Sequence, residues 1–241
     1  MKHIIFLLIT SNIIFSQDEK KYDESEIWEP EVKIVNPYGF NGVPDDAIIL
    51  FDGRDFSKWK SERNNQEVLW LLNPDKSMTI KPGTGGIQTI EEHGSIQLHI
   101  EWKSPTKIKG DGQYRGNSGI FFQRRYELQI LDSYENRTYS NGQAGSIYKQ
   151  HIPLVNVTLP PGKWQKFDIV FNAPKFDDKG DEIKKGNFTI FHNGVLIHNG
   201  IEIISATYDF KKDTPFTLLL QDHGRDEGNY ISFRNIWMRK L

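Results

Sequence analysis

No stretch of this chain keeps an apolar period of 3.6 residues for three turns; short apolar runs are instead separated by clusters of Gly, Pro, Asn and Asp. A helix needs a continuous apolar stripe to bury, whereas a strand needs only a few residues that alternate or cluster. The pattern therefore predicts strands over residues 48–51, 68–72, 96–103, 118–123, 126–132, 164–171, 187–192, 195–198, 216–222 and 231–238. His192-Asn193-Gly194-Val195 carries the Asn-Gly pair that favours a two-residue hairpin turn, so the last two runs of the 187–198 region are expected to pair. The charge-dense stretch 175–185 interleaves acids with Lys and reads as a solvated hairpin tip. The expected fold is all-β, an antiparallel sandwich of two packed sheets.

Composition narrows the chemistry. The 241 residues include no cysteine, which excludes a disulfide framework, a thiol nucleophile and a cysteine zinc site. A formal net charge of −2 supplies no broad attraction to nucleic acid or to an anionic membrane. Residues 1–16 begin with Met1-Lys2-His3 and continue as an apolar run too short to span a bilayer, the form of a secretory signal peptide. After its cleavage no membrane insertion is expected, and the mature protein is expected to be secreted or periplasmic. Residues 17–45 are polar and acidic and are read as an extended arm anchored by Trp28 and Tyr38, ahead of a β domain over 46–241. The serine-esterase elbow, the phosphate-binding loop ending in Lys-Ser or Lys-Thr, and the His-Glu-x-x-His helix are all missing.

What remains is polar side chains alternating along strands, where every second residue faces the same way. Glu127 and Gln129 share one parity against Leu128 and Ile130. Gln221 and His223 share a parity with Leu219, and His99, Glu101 and Lys103 oppose Leu98, Ile100 and Trp102. If these three strands neighbour one another in one sheet, Glu101, Glu127, Gln129, Gln221 and His223 cluster on a single concave surface. No cofactor is expected. His99-x-Glu101 places two ligands on one side of a strand and leaves a divalent metal open, although two ligands do not make a site. Trp164 and Trp237 alternate with apolar residues and are read as core, whereas Tyr126, Tyr134 and Tyr148 lie near loops, where aromatic rings can stack on a ligand.

Several motifs occur in one order from about Ala47 to the C-terminus: Leu50-Phe51-Asp52-Gly53 with Trp59, Gly116-Asn117-Ser118-Gly119-Ile120-Phe121, Tyr126-Glu127-Leu128-Gln129-Ile130-Leu131-Asp132-Ser133, and Gly142-Gln143-Ala144-Gly145-Ser146-Ile147-Tyr148. Pro161-Gly162-Lys163-Trp164-Gln165, His192-Asn193-Gly194-Val195, Leu220-Gln221-Asp222-His223-Gly224 and Phe233-Arg234-Asn235-Ile236-Trp237 follow. Together they resemble the 3-keto-disaccharide hydrolase family, which is built on a concanavalin-like lectin and glucanase jelly roll. The resemblance implies an exported enzyme that cleaves 3-keto-glycosides, by hydrolysis or elimination, after a separate sugar 3-dehydrogenase has made the ketone. A noncatalytic carbohydrate-binding module on the same fold is the alternative. Around Ser205-Ala206-Thr207 the chain departs from the family pattern, which affects a rim loop.

A ketone at C3 acidifies the C2 hydrogen, so a base can remove it and the resulting enolate can expel the substituent at C1. On motif position and strand parity, Glu127 is expected to be the general base, His223 its acid/base partner and Glu101 a second carboxylate. Asn117, Gln129 and Gln221 are expected to orient sugar hydroxyls together with Tyr148. Arg115 or Lys149 would stabilise the enolate, and Arg234 is placed within reach of a ligand.

Overall fold

The computed structural model describes residues 25–208, 216–224 and 229–241. The expected signal peptide and the start of the acidic arm lie outside them. Residues before Pro37 form a unit of their own, in which Trp28 Nε1 donates to Glu26 Oε2 at 3.1 Å. Among the described residues no helix is long and apolar enough to cross a membrane.

Fifteen strands are found among the described residues of the second unit. The first six are β1 (Ile48–Phe51), β2 (Trp59–Ser61), β3 (Leu71–Leu72), β4 (Met78–Thr79), β5 (Ile87–Glu92) and β6 (Ile96–Lys103). Next come β7 (Asn117–Phe122), β8 (Tyr126–Leu131), β9 (Gln165–Asn172), β10 (Lys175–Phe176) and β11 (Glu182–Lys184). The last four are β12 (Asn187–His192), β13 (Val195–Glu202), β14 (Thr217–Leu220) and β15 (Ser232–Lys240). They form an eight-stranded sheet, ordered β13-β12-β9-β6-β15-β4-β3 with β1 also on β15, and a five-stranded sheet ordered β2-β5-β14-β7-β8. The charge-dense stretch is the small β10–β11 hairpin. Asn193 and Gly194 take the positive φ values, 52° and 82°, that a tight turn between β12 and β13 requires.

Strand parity builds the core. In β6, Ile96, Leu98, Ile100 and Trp102 are fully buried, and in β9 the inward residues are Phe167, Ile169 and Phe171. Phe122 of the five-stranded sheet meets Phe171 and Phe188 of the other sheet, each with ring centroids 5.0 Å away. This aromatic contact joins the two layers and fixes the side of β7 that faces inward. Tyr126 packs here as well, 6.0 Å from Phe171 and buried, so it is a core residue and not the ligand-stacking ring expected of it.

β5 escaped the sequence pattern because its second half, Ile90–Glu92, is exposed and Gln88 and Thr89 are buried polar residues. Their burial is satisfied within the sheet: Thr217 Oγ1 donates to Gln88 Oε1 at 2.8 Å, and Leu218 N donates to Thr89 Oγ1 at 3.1 Å. Truncating the inter-sheet contact with Phe122→Ala should lower unfolding free energy by about 3–5 kcal/mol, as expected for loss of a fully buried aromatic ring. Urea denaturation of wild type and variant checks this, and a loss below about 1 kcal/mol would show that the layers are held elsewhere.

Candidate active site

The two sheets sort the expected site residues into two groups. β8 and β14 belong to the five-stranded sheet with β7 between them, whereas β6 lies in the other sheet. The expectation that all three polar faces share one surface is therefore corrected: Glu101 and Arg234 are separated from Glu127 by the core. Arg234 sits on β15 opposite Glu101 and donates from Nε to Glu101 Oε2 at 2.6 Å, while Asn235 Nδ2 donates to Oε1 at 3.0 Å. Burial opposes the charge on Glu101, but the nearby His99 and hydrogen bonds from Asn235 and Arg234 outweigh it and hold the carboxyl at a pKa of about 2. Such a group stays ionised at neutral pH and is unsuited to passing protons. The Arg234 guanidinium also stacks on Trp164 at 4.2 Å, and Lys103 approaches the same ring at 4.5 Å. Trp164 is thus a half-buried cation platform outside the core. Trp237 is buried as expected, but it stacks on His99 at 5.2 Å and stands outside the main apolar cluster.

His99 does not gather a metal site either. Its Nδ1 is 2.6 Å from Asp168 Oδ1, and Nε2 lies 3.8 Å from Glu101. Burial disfavours its protonation, but Asp168 and Glu101 more than offset this and raise its pKa. Among the described residues no group of three His, Cys, Asp or Glu side chains is placed to hold a metal ion.

The second group converges on Glu127. Phe121 lies directly opposite it on β7, and Leu219 of β14 lies opposite Phe121, so the three share a row on the face turned away from the core. Gln129 lies opposite Gly119, and Gln221 N donates to Gly119 O at 3.0 Å, forming the adjacent row. His223 follows two residues later. It lies beyond the end of β14 at Leu220, in irregular backbone, so strand parity no longer fixes the direction of its side chain. Asp222, of the opposite parity, ties down loops by accepting from Gly85 N and Gly224 N, each at 2.9 Å.

The outer edge of β8 is covered by the segment that ends in Tyr148. Gln129 N donates to Ser146 O and Tyr148 N to Glu127 O, while Ile147 pairs with Leu128 and enters the core. By parity Tyr148 then shares the face of Glu127. On the same edge Glu127 N donates to Thr207 Oγ1 at 3.0 Å, so the rim loop that departs from the family pattern touches the site. Tyr208 stacks on Phe121 at 6.0 Å. Tyr139 and Tyr148 join their hydroxyls at 2.6 Å, and Lys149 Nζ lies 5.4 Å from the Tyr148 ring centroid.

Glu127 itself is 2% exposed, and its Oε2 makes no hydrogen bond among the described residues. Burial drives its pKa up to about 8, with the positive charge of Lys149 acting in the opposite direction. Room for the carboxyl comes from Gly119, where a Cβ would lie 2.6 Å from Glu127 Oε1 and 2.8 Å from the Phe121 ring. Beside it an amide cluster is locked in place. Gln129 Nε2 donates to Gln113 Oε1 at 3.1 Å and to Asn117 Oδ1 at 3.3 Å, and Gln113 Nε2 donates to Gly142 O at 2.8 Å. Gln221 Oε1 is buried without a hydrogen bond among the described residues. A buried acceptor left without a partner is costly, so both oxygens are open to a donor from water or a ligand.

Arg115 is otherwise engaged: its Nη1 donates to Tyr134 O at 2.8 Å and to Asp132 Oδ2 at 3.3 Å. It braces the turn after β8, and the enolate role expected of it is not supported by this placement. Tyr139, Tyr208 and Gln113 were not singled out by the sequence, because loop residues have no parity to read, and Thr207 was marked only as part of a rim loop. Gly119 did carry a signal, since a glycine inside a strand often marks a close approach.

Residues 46–239 match the model of the 3-keto-alpha-glucoside-1,2-lyase-like domain. A crystal structure of a candidate glycosyl hydrolase from Parabacteroides distasonis ATCC 8503 is similar, with 43% identity, a TM-score of 0.84, and coverage of 91% of this chain and 96% of that one. Two further candidate glycosyl hydrolases from the same organism share the fold. One has 20% identity and a TM-score of 0.59 over 81% of this chain and 94% of its own. The other has 19% identity and a TM-score of 0.53 over 81% and 99%. No curated protein matches the chain significantly.

Two outcomes are expected. Gly119→Ala should displace the Glu127 carboxyl and reduce any turnover at least tenfold with the fold retained by circular dichroism. The titration of Glu127 also predicts a sign for stability against pH. An unfolded Glu titrates near 4.5 and the folded one near 8, so the folded state holds this proton more tightly. The stability it confers is complete below about pH 4.5 and is lost as pH rises through 8. Relative to wild type, Glu127→Gln should therefore gain stability between pH 5 and 9, on the order of 3–5 kcal/mol at the alkaline end. A difference that stays flat across that range in denaturation experiments would contradict the raised titration.

Proposed function

The chain belongs to the 3-keto-alpha-glucoside-1,2-lyase-like family, and on that premise we propose that it cleaves 3-keto-glycosides, with Glu127 as the base that removes the C2 proton. The observation that carries this reading is the buried Glu127 carboxyl, whose Oε2 has no hydrogen bond among the described residues and whose pKa of about 8 lies close to a working pH. A base matched to its medium combines a useful ionised fraction with strong proton affinity. A glycosidase of the ordinary two-carboxylate kind would need a second carboxyl within about 5–10 Å across the sugar. Glu101, the other carboxylate the sequence nominated, is in the opposite sheet and permanently ionised. Its place in the other sheet keeps Glu101 from serving as that second carboxyl.

In this scheme His223 protonates the departing glycosidic oxygen from the far side of the ring. Asn117, Gln129 and Gln221 hold the sugar hydroxyls, and Lys149 keeps the site positive enough for Glu127 to ionise. The substrate must come from an oxidation at C3 of a glycoside, the work of a sugar 3-dehydrogenase. The apolar run at residues 1–16 supports action outside the cytoplasm, secreted or periplasmic. Release of an unsaturated sugar and release of a hydrated one are the two outcomes the same enolate allows.

Purified protein incubated with 3-keto and unoxidised disaccharides, with and without chelator, should cleave only the former. In D2O it should also exchange the C2 hydrogen. Glu127→Gln should lower turnover by 10²-fold or more with sugar binding retained, and His223→Gln should lower cleavage more than exchange. Binding of the sugar with no exchange or cleavage by wild type would instead establish a carbohydrate-binding module.

A further inference from the structure

Resting on the proton-abstraction reading above, we propose that the Tyr139–Tyr148 hydroxyl pair is the hydrogen-bond donor that holds the C3 oxyanion when Glu127 takes the C2 proton. The two hydroxyls are 2.6 Å apart. They carry two hydrogens between them, and the mutual bond uses one, so the other can be donated onward. A hydroxyl that accepts one hydrogen bond donates the next more strongly. Tyr148 is locked to the catalytic row by its own N–H, which donates to Glu127 O at 3.0 Å, and by the insertion of Ile147 into the core.

Tyr139 is seated by a different device. Its ring lies over Gly142, where a Cβ would come within 2.0 Å of the ring carbons. Gly142 O is in turn held by Gln113 Nε2, the hub of the amide cluster that also fixes Gln129. One network therefore positions the sugar-orienting amides and the phenol pair together. Burial, the mutual bond and the nearby Glu127 all push the Tyr139 hydroxyl above the usual tyrosine range, so it keeps its proton and acts as a donor. Lys149 adds a positive charge beside the Tyr148 ring.

The electron count is that of an elimination. The C2–H bond breaks and its proton goes to the Glu127 carboxylate, while the electron pair forms C2=C3 and the C3 carbonyl oxygen becomes anionic. The C3 carbonyl then reforms, the C2=C3 pair moves to C1=C2, and the C1–O bond breaks with its electrons on the departing oxygen, which is protonated. The products are a 1,2-unsaturated 3-ketone and an alcohol, with no oxidant or reductant required.

The test uses the full chain with a 3-keto-disaccharide and the same substrate deuterated at C2. Tyr139→Phe and Tyr148→Phe should each lower kcat about 10²-fold, the effect of losing one oxyanion donor, with KM within about threefold. Both should raise the primary isotope effect on kcat. Gly142→Ala, which crowds the ring without touching its hydroxyl, should reproduce the Tyr139→Phe pattern, with thermal melts confirming folded protein. Unchanged kcat and isotope effect in both phenylalanine variants, with Glu127→Gln inactive, would overturn the donor assignment and leave the base intact. Absence of C2 exchange in wild type would overturn the base and the donor together.

Discussion

Phe122 packs against Phe171 and Phe188 and so joins the two sheets, and the rest of the molecule follows from the way that contact points β7. Because side chains alternate on a strand, an inward Phe122 forces Phe121 outward, and the antiparallel register sets Glu127 beside it. The same alternation carried across the edge of β8 turns Ile147 in and Tyr148 out. A hydrophobic contact in the core thereby aims a carboxyl and a phenol at the same space on the opposite face.

Two carboxylates of similar sequence context end in opposite electrostatic states. Glu101 is wrapped by a guanidinium and an amide, which favour its charge, and it behaves as part of a structural ion-pair network with Arg234 and Trp164. Among the described residues no hydrogen bond reaches Glu127 Oε2. It is enclosed by Phe121, Gly119 and the loops carrying Tyr148 and Thr207, with Lys149 as the charge that tempers its burial. Burying an acceptor without satisfying it lowers stability. The neighbouring Gln129, Asn117 and Gln113, by contrast, are hydrogen-bonded to one another.

Much of this was legible in the chain before any coordinates. The strands over 96–103 and 187–192 coincide with the runs read from alternation, and the Asn193-Gly194 turn lies where a two-residue hairpin required it. The pairing of Glu127 with Gln129 on one face was also a matter of parity alone. Short strands such as β2 and β4 were not readable, since two or three residues are below the length at which a period can be recognised. Tyr139 and Tyr208 stand in irregular segments, where position along the chain says nothing about direction in space.

The sequence by itself determined the alternation within each strand, the turn chemistry between strands and the family to which the ordered motifs belong. Only the tertiary structure decided which strands are neighbours, because sheet order depends on contacts between residues far apart in the chain. That decision separated Glu101 and Arg234 from Glu127 and brought Tyr139 to Tyr148. It also decided the protonation of Glu127, since a carboxyl's affinity for its proton depends on the water and charges around it, and these are assembled only when the chain folds.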